Sequence, residues 1–333
     1  MRWFLPLLLG LSAPALAQEA RESTPLEAVT AEHPLPPVPA GWETVHGPFV
    51  RVHGAPDDLP TLLRLSNEAE KALPQLARDL GVPLGSSVEI YVADSDARFR
   101  ALQPGQAPMW ADGVAYPALG LVILRAPDVR GTAGEPLETV LRHELVHVLL
   151  GHAFLPTRPP TWLQEGLAQV HAGEVGPETT KTLANGLATG NTLSLTGLSR
   201  GFPADPVKAR VAYAQSADLI GYLHDTYGPG SVRTLIRELS AGTSVEGAIH
   251  AATGEFIETI DHDWRQRLEG SGLAWGALAN ADLGMGLGGL LLIVGGISRR
   301  RAFHRRLEAM GEEEAALEAL IASYLAMGRT PAR

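Results

Sequence analysis

Cysteine is absent from the chain, which excludes a disulfide framework, a thiolate metal site and a thiol nucleophile. Outside positions 299–306 there is no long run of lysine or arginine, and the formal net charge is -10. A broad phosphate-binding surface is thereby excluded, and nucleic acid is not an expected partner. No internal repeat is present, which excludes a repeat array. The 333 residues are 45% apolar, enough for one medium-sized domain with its own core plus accessory segments.

The two ends carry topogenic patterns. Arg2 precedes an apolar run from Trp3 to Leu11, and Ala15, Leu16 and Ala17 offer small residues for cleavage, so 1–17 reads as a secretory signal peptide. That apolar run is well short of the ~20 residues that a membrane-spanning helix requires. Positions 273–298 form a second apolar segment, followed at once by Arg299, Arg300 and Arg301. The expectation is one transmembrane helix with 299–333 as a cytoplasmic tail, leaving the rest on the extracytoplasmic side of the membrane. Asp282 shortens the charge-free stretch, and a Gly-rich packed helix of the main domain is the other reading. Gly284 and Gly288 form a G-x-x-x-G pair that would allow dimerisation through this helix. In the tail, Glu312 to Glu314 with Leu317, Leu320, Ile321 and Leu325 reads as an amphipathic helix.

Between these ends, 18–41 is a linker that turns Pro-rich from Pro34 to Pro39. From Trp42 the pattern changes. Strands are expected at 49–53 and 88–92, a helix over 59–80 with Pro74 as a kink, and a hairpin of 114–116 with 119–124 across Pro117. Helical spacing then dominates at 136–151, 161–171, 205–227, 231–240 and 256–268. Strands first and helices after make an α+β domain over 42–270.

The chemistry is concentrated in two short elements. His143, Glu144 and His147 spell H-E-x-x-H inside an apolar helix, and positions four apart share one helix face. Two imidazoles so placed can reach one ion at ~2.0–2.1 Å, with Glu144 beside the position of an activated water. A third ligand is needed. Glu165 lies 18 positions after His147 in Thr161-Trp162-Leu163-Gln164-Glu165-Gly166-Leu167-Ala168, on a helix that Pro159 and Pro160 introduce. Its carboxylate completes a His2Glu set with one coordination position open.

H-E-x-x-H followed at this distance by W-x-x-E-G-x-A resembles the gluzincin metallopeptidases, most closely the peptidase-MA-like family of thermolysin-type folds. The W-L-x-E-G element is similar to that of the zinc aminopeptidases. The resemblance continues through Tyr213-Ala214-Gln215-Ser216, Leu223, Tyr227-Gly228 and the stretch from Gly254 to Trp264, covering 86–269. It implies a thermolysin-like zincin, with an N-terminal mixed sheet carrying the H-E-x-x-H helix and a helical C-terminal part. It further implies one Zn2+ held by His143, His147 and Glu165, Glu144 as catalytic base, and a peptide or protein substrate. A transition-state donor is implied in the helical part. Tyr213 is the candidate, Tyr222 and His224 are rivals, and a merely packed tyrosine is the plainer alternative.

Two departures from the family pattern stand out. Gln169 occupies the place, four after the glutamate ligand, where thermolysin-like enzymes carry an imidazole-orienting Asp. The G-x-M-E-N element that holds a free N-terminus in zinc aminopeptidases is missing, which favours an endopeptidase. The apolar strand 119–124 reads either as an edge that pairs with an extended substrate or as an ordinary core strand.

Two other classes compete. Gly197-Leu198-Ser199-Arg200-Gly201 matches G-x-S-x-G, with Asp205 and His224 following, so a serine hydrolase using Ser199 is one alternative. A nucleophile elbow requires a buried strand before the serine, and Asn191 to Ser194 is too polar for one. The other alternative is a catalytically inactive zincin-fold binding module at the membrane. Its zinc would be structural, which calls for a fourth protein ligand. His152 and His171 read as helix-end surface residues instead.

Overall fold

The computed structural model describes residues 30–105, 111–130 and 135–279. Its sheet grows from strict alternation. In β2 (Val50–Gly54) and β3 (Val88–Ala93), Val50, Val52, Ile90 and Val92 face one way into the main core, because successive side chains of a strand point to opposite faces. β5 (Leu121–Arg125) sends Val122 and Leu124 to the same side. β4 (Gly113–Tyr116) pairs antiparallel with β5 as a hairpin, and β1 (Glu43–His46) pairs antiparallel with β2. The order is β1-β2-β3-β5-β4, with β2, β3 and β5 mutually parallel.

Helices cover one face. α1 (Leu59–Leu80) keeps Pro74 inside a single helix and ends at Gly81, whose φ of 70° is the left-handed stop that glycine supplies freely. α3 (Leu137–Phe154) packs against α1, β4 and β5. Leu141, Leu145, Val148 and Leu149 on α3 are fully buried, and truncating any one to alanine would cost about 2–5 kcal/mol. α4 (Thr161–Ala172) lies between α3 and α7 (Pro206–Tyr227). The chain continues through α8 (Pro229–Ser240), α9 (Val245–Thr253) and α10 (Ile257–Ala279). Trp264 of α10 is fully buried and its Nε1 donates to Asp218 of α7 at 2.8 Å.

The opposite face carries a smaller core of Tyr91, Ala93, Val114, Tyr116, Leu121 and Ile123 with Phe99 of α2 (Asp96–Ala101). There the Tyr91 hydroxyl donates to the Pro36 carbonyl at 2.7 Å, tying part of the Pro-rich segment to the sheet.

The strands-then-helices order is therefore the observed α+β architecture, and the hairpin across Pro117 is present. One expectation is corrected. The strand at 119–124 is not an edge: β5 sits between β3 and β4, and its five residues are all buried, as befits a strand covered on both faces. β4 is the edge. The signal peptide (1–17), the tail (299–333) and most of the expected transmembrane segment lie outside the described residues. Among the described residues no helix is long and apolar enough to cross a membrane.

Candidate metal centre

α3 is apolar around nearly its whole circumference, so its polar residues His143, Glu144 and His147 stand out against the core they interrupt. Glu144 faces β4, where its carboxyl hydrogen-bonds the Ala115 backbone. A Cβ at Gly113 would lie 3.0 Å from Glu144 Oε1 and 2.8 Å from Val140, so a glycine there lets α3 come close to the strand.

α4 brings the third group. Trp162, Leu163 and Leu167 are fully buried and anchor it, while Glu165 projects from between them. The neighbouring Gly166 fixes the depth of α4 against α7, because a Cβ there would sit 2.5 Å from the Ser216 carbonyl oxygen. The E-G pair of the motif thus combines a ligand with the close helix packing that delivers it.

The three side chains converge. Ligand-capable atoms of His143, His147 and Glu165 all lie within 4.8 Å of one another, a cluster that no other group matches among the described residues. Glu165 Oε2 is 3.6 Å from His143 Nε2 and 3.8 Å from His147 Nε2, too long for hydrogen bonds. Two donors each ~2.0–2.1 Å from one tetrahedral ion would stand about 3.3 Å apart, so the spacing fits an ion between them. The three side chains are 14–18% exposed, which leaves the centre reachable from solvent.

Electrostatics divide the groups. Burial works against charging His143, but the carboxylates of Glu165 and Glu174 outweigh it and hold the imidazole well above its usual value. Burial lowers His147 to about 4 against the pull of Glu165. Glu144 is pushed up to about 7 by burial, with His143 opposing and the charges of Glu165 and Glu174 adding to the rise. Burial would also raise Glu165, yet His147 and His143 together bring it below the usual carboxylate value. A carboxyl balanced near neutrality beside a charged one is the division of labour that acid–base chemistry requires.

One functional group had no signal in the sequence motifs. Glu174 Oε1 lies 2.9 Å from His143 Nδ1. Gln169 instead spends its amide on the carbonyls of Glu165 and Tyr213, at 3.2 and 3.1 Å.

Tyr213 lies on α7 with its ring edge-on to Phe202 at 4.8 Å. Burial first, and then the charge of Glu165, push its hydroxyl well above the ordinary tyrosine value, and its carbonyl accepts from Gln169, one turn beyond Glu165, at 3.1 Å, so it neighbours the centre. The rivals do not. Tyr222 packs with Tyr227 and Arg267, and His224 is exposed beside Asp225. His171 and His152 are both partly buried, and burial lowers each below the usual imidazole value; neither joins the ligand cluster.

The Ser199 alternative is corrected by the same coordinates. Ser199 ends the short helix α6 (Leu195–Ser199) and donates to the Leu195 carbonyl at 2.9 Å. Asp205 caps α7 through the Lys208 N–H at 2.9 Å. With His224 turned to Asp225, no strand-borne nucleophile and no relay are assembled.

Among solved structures, a mutant M1 zinc metallopeptidase from Deinococcus radiodurans is similar at 16% identity and a TM-score of 0.40, over 67% of this chain. The chain spans half of that protein's length. No curated protein matches. The family model of the Peptidase MA superfamily matches residues 68–270, a span that holds the whole cluster and the helices α3, α4 and α7 around it. With both motif elements brought to one point and that match over most of the folded domain, the chain belongs to the Peptidase MA superfamily.

Proposed function

We propose that this chain is a zinc metallopeptidase that hydrolyses peptide bonds as an endopeptidase, with His143, His147 and Glu165 holding one zinc ion. The observation that carries the reading is the convergence of these three donors with the buried Glu144 alongside. Two imidazoles and one carboxylate are a catalytic rather than a closed donor set. When bound, zinc supplies Lewis acidity to a substrate carbonyl and to water.

The remaining work falls to the protein. Glu144, balanced near pH 7, accepts a proton from the attacking water and returns it to the leaving amine. Tyr213, neutral at physiological pH, donates to the oxygen that gains charge at the scissile carbon. Among the described residues β4 is an edge strand, with the Ala115 backbone hydrogen-bonded to Glu144, and this edge supports an extended substrate. Arg125 N–H donates to the Asp112 carbonyl at 3.0 Å, and alternation along an antiparallel pair then turns the backbone groups of Gly113 and Ala115 outward. A peptide added there would pass beside Glu144. The absence of G-x-M-E-N supports cleavage within chains rather than at a free N-terminus.

The proposal extends to location. The signal-peptide pattern at 1–17 and the apolar 273–298 with its arginine cluster support a single-pass membrane protein, its catalytic domain outside the cytoplasm and its C-terminus within. Protease protection of the tail in sealed vesicles tests this. The catalytic claim is tested by Glu144→Gln, expected to retain zinc and lose hydrolysis of a peptide library. Full activity in that variant would overturn the role assigned to Glu144.

A further inference from the structure

Position 169 carries no carboxylate, and its amide is occupied by two backbone carbonyls. Nevertheless the His143 ring is held from behind. Gly173, at φ 80°, ends α4 in the left-handed conformation. Its N–H reaches the Val170 carbonyl at 3.3 Å, and the next N–H, of Glu174, reaches the Gln169 carbonyl at 3.0 Å. This paired closure fixes the turn. Beyond it, the Thr179 hydroxyl donates to the Glu174 carbonyl at 3.3 Å, so the backbone of Glu174 is fixed from both sides. Its side chain, about one-fifth exposed, meets His143 Nδ1 at 2.9 Å.

We propose that Glu174 is the positioning residue of the metal centre, a role moved off α4 onto the turn that follows it. Accepting a hydrogen bond from Nδ1–H selects the tautomer that leaves the Nε2 lone pair free, and Nε2 is the atom that faces Glu165 across the centre. One helix with its C-terminal turn thus grips both edges of the same imidazole, Glu165 in front and Glu174 behind. The inference rests on the zinc reading above and adds to it the residue that orients a ligand.

The test is zinc affinity of the full chain, by chelator competition, for the native protein, Glu174→Gln and Glu174→Ala. The melting temperatures of the zinc-stripped proteins and the visible spectra of their Co2+ forms accompany it. Glu174→Gln keeps an acceptor without charge and is expected to weaken zinc binding about 10-fold; Glu174→Ala loses both and is expected to weaken it by up to about 100-fold. The Co2+ bands should shift in the same order while the zinc-stripped melting temperature stays near native. Native affinity and native Co2+ spectra in both variants would overturn the assignment, as would a loss that follows the melting temperature alone. If the native protein itself takes up no zinc, the failure belongs to the metallopeptidase reading instead.

Discussion

On the face of the sheet away from the helices, His53 Nε2 meets Glu89 at 2.7 Å and Thr44 meets His53 Nδ1 at 2.9 Å, with Arg51 completing the carboxylate's partners. On the helical side, His143 and His147 stand 3.6 and 3.8 Å from Glu165. Both clusters set histidine against glutamate, yet one is closed and buried while the other is held open and partly exposed. In the first, each polar atom has spent its bonding capacity on a neighbour, which makes the group a cross-strand tie. In the second, three donors are aimed at a common point by helix packing and by Glu174, and none satisfies another. Distance, rather than composition, separates a structural His–Glu group from one built to hold an ion.

The sharpest way to break this comparison is to remove one carboxylate from each side. Glu144→Gln should lower turnover on the order of 10²–10⁴-fold with zinc content and melting temperature near native, read by peptide cleavage and metal analysis. Glu89→Ala should do the reverse. Removing the carboxylate leaves the buried His53 without its partner, a cost of about 1–3 kcal/mol, measured by urea unfolding, while zinc affinity of the folded fraction is unchanged.

The same residue gives a pH dependence. Burial would raise Glu89, but Arg51 and His53 outweigh it and hold its folded value below the ordinary 4.5. A lowered folded value means that its stabilisation is complete above 4.5 and is lost as pH falls below it. The native chain should therefore lose stability on acidification through that range more steeply than Glu89→Gln.

Smaller effects sharpen the contrast further. Gly166→Ala forces a Cβ to 2.5 Å from the Ser216 carbonyl, so α4 must move away from α7 at a cost of about 1–3 kcal/mol. Zinc affinity should fall with it, since Glu165 moves with the helix. Tyr91→Phe removes only the hydrogen bond to Pro36, worth about 1 kcal/mol, and should leave zinc affinity untouched.

Much of the centre was legible in the sequence because its determinants are local. H-E-x-x-H is a spacing on one helix, and W-x-x-E-G packs its ligand and its close-packing glycine into five residues. The strands at 88–92 and 119–124 were equally plain, the first from β-branched and aromatic residues around Glu89 and the second as a nearly continuous apolar stretch. What escaped was set by distant contacts or by weak local patterns. Strand order decides that β4 and not β5 is the edge, and no local pattern carries it. α2 and α5 (Pro177–Ala188) are short or polar and bury few residues each, so their periodicity is faint. Glu174 lies past the end of a helix, reached only because Gly173 turns the chain back toward His143.

The measurement that tests the central claim most directly is zinc stoichiometry in the purified full chain, native beside His147→Ala and Glu165→Ala. One zinc per chain in the native protein, lost or greatly weakened in both variants, is the predicted result. Native protein without stoichiometric zinc, or variants that bind it as tightly as the native chain, would contradict it.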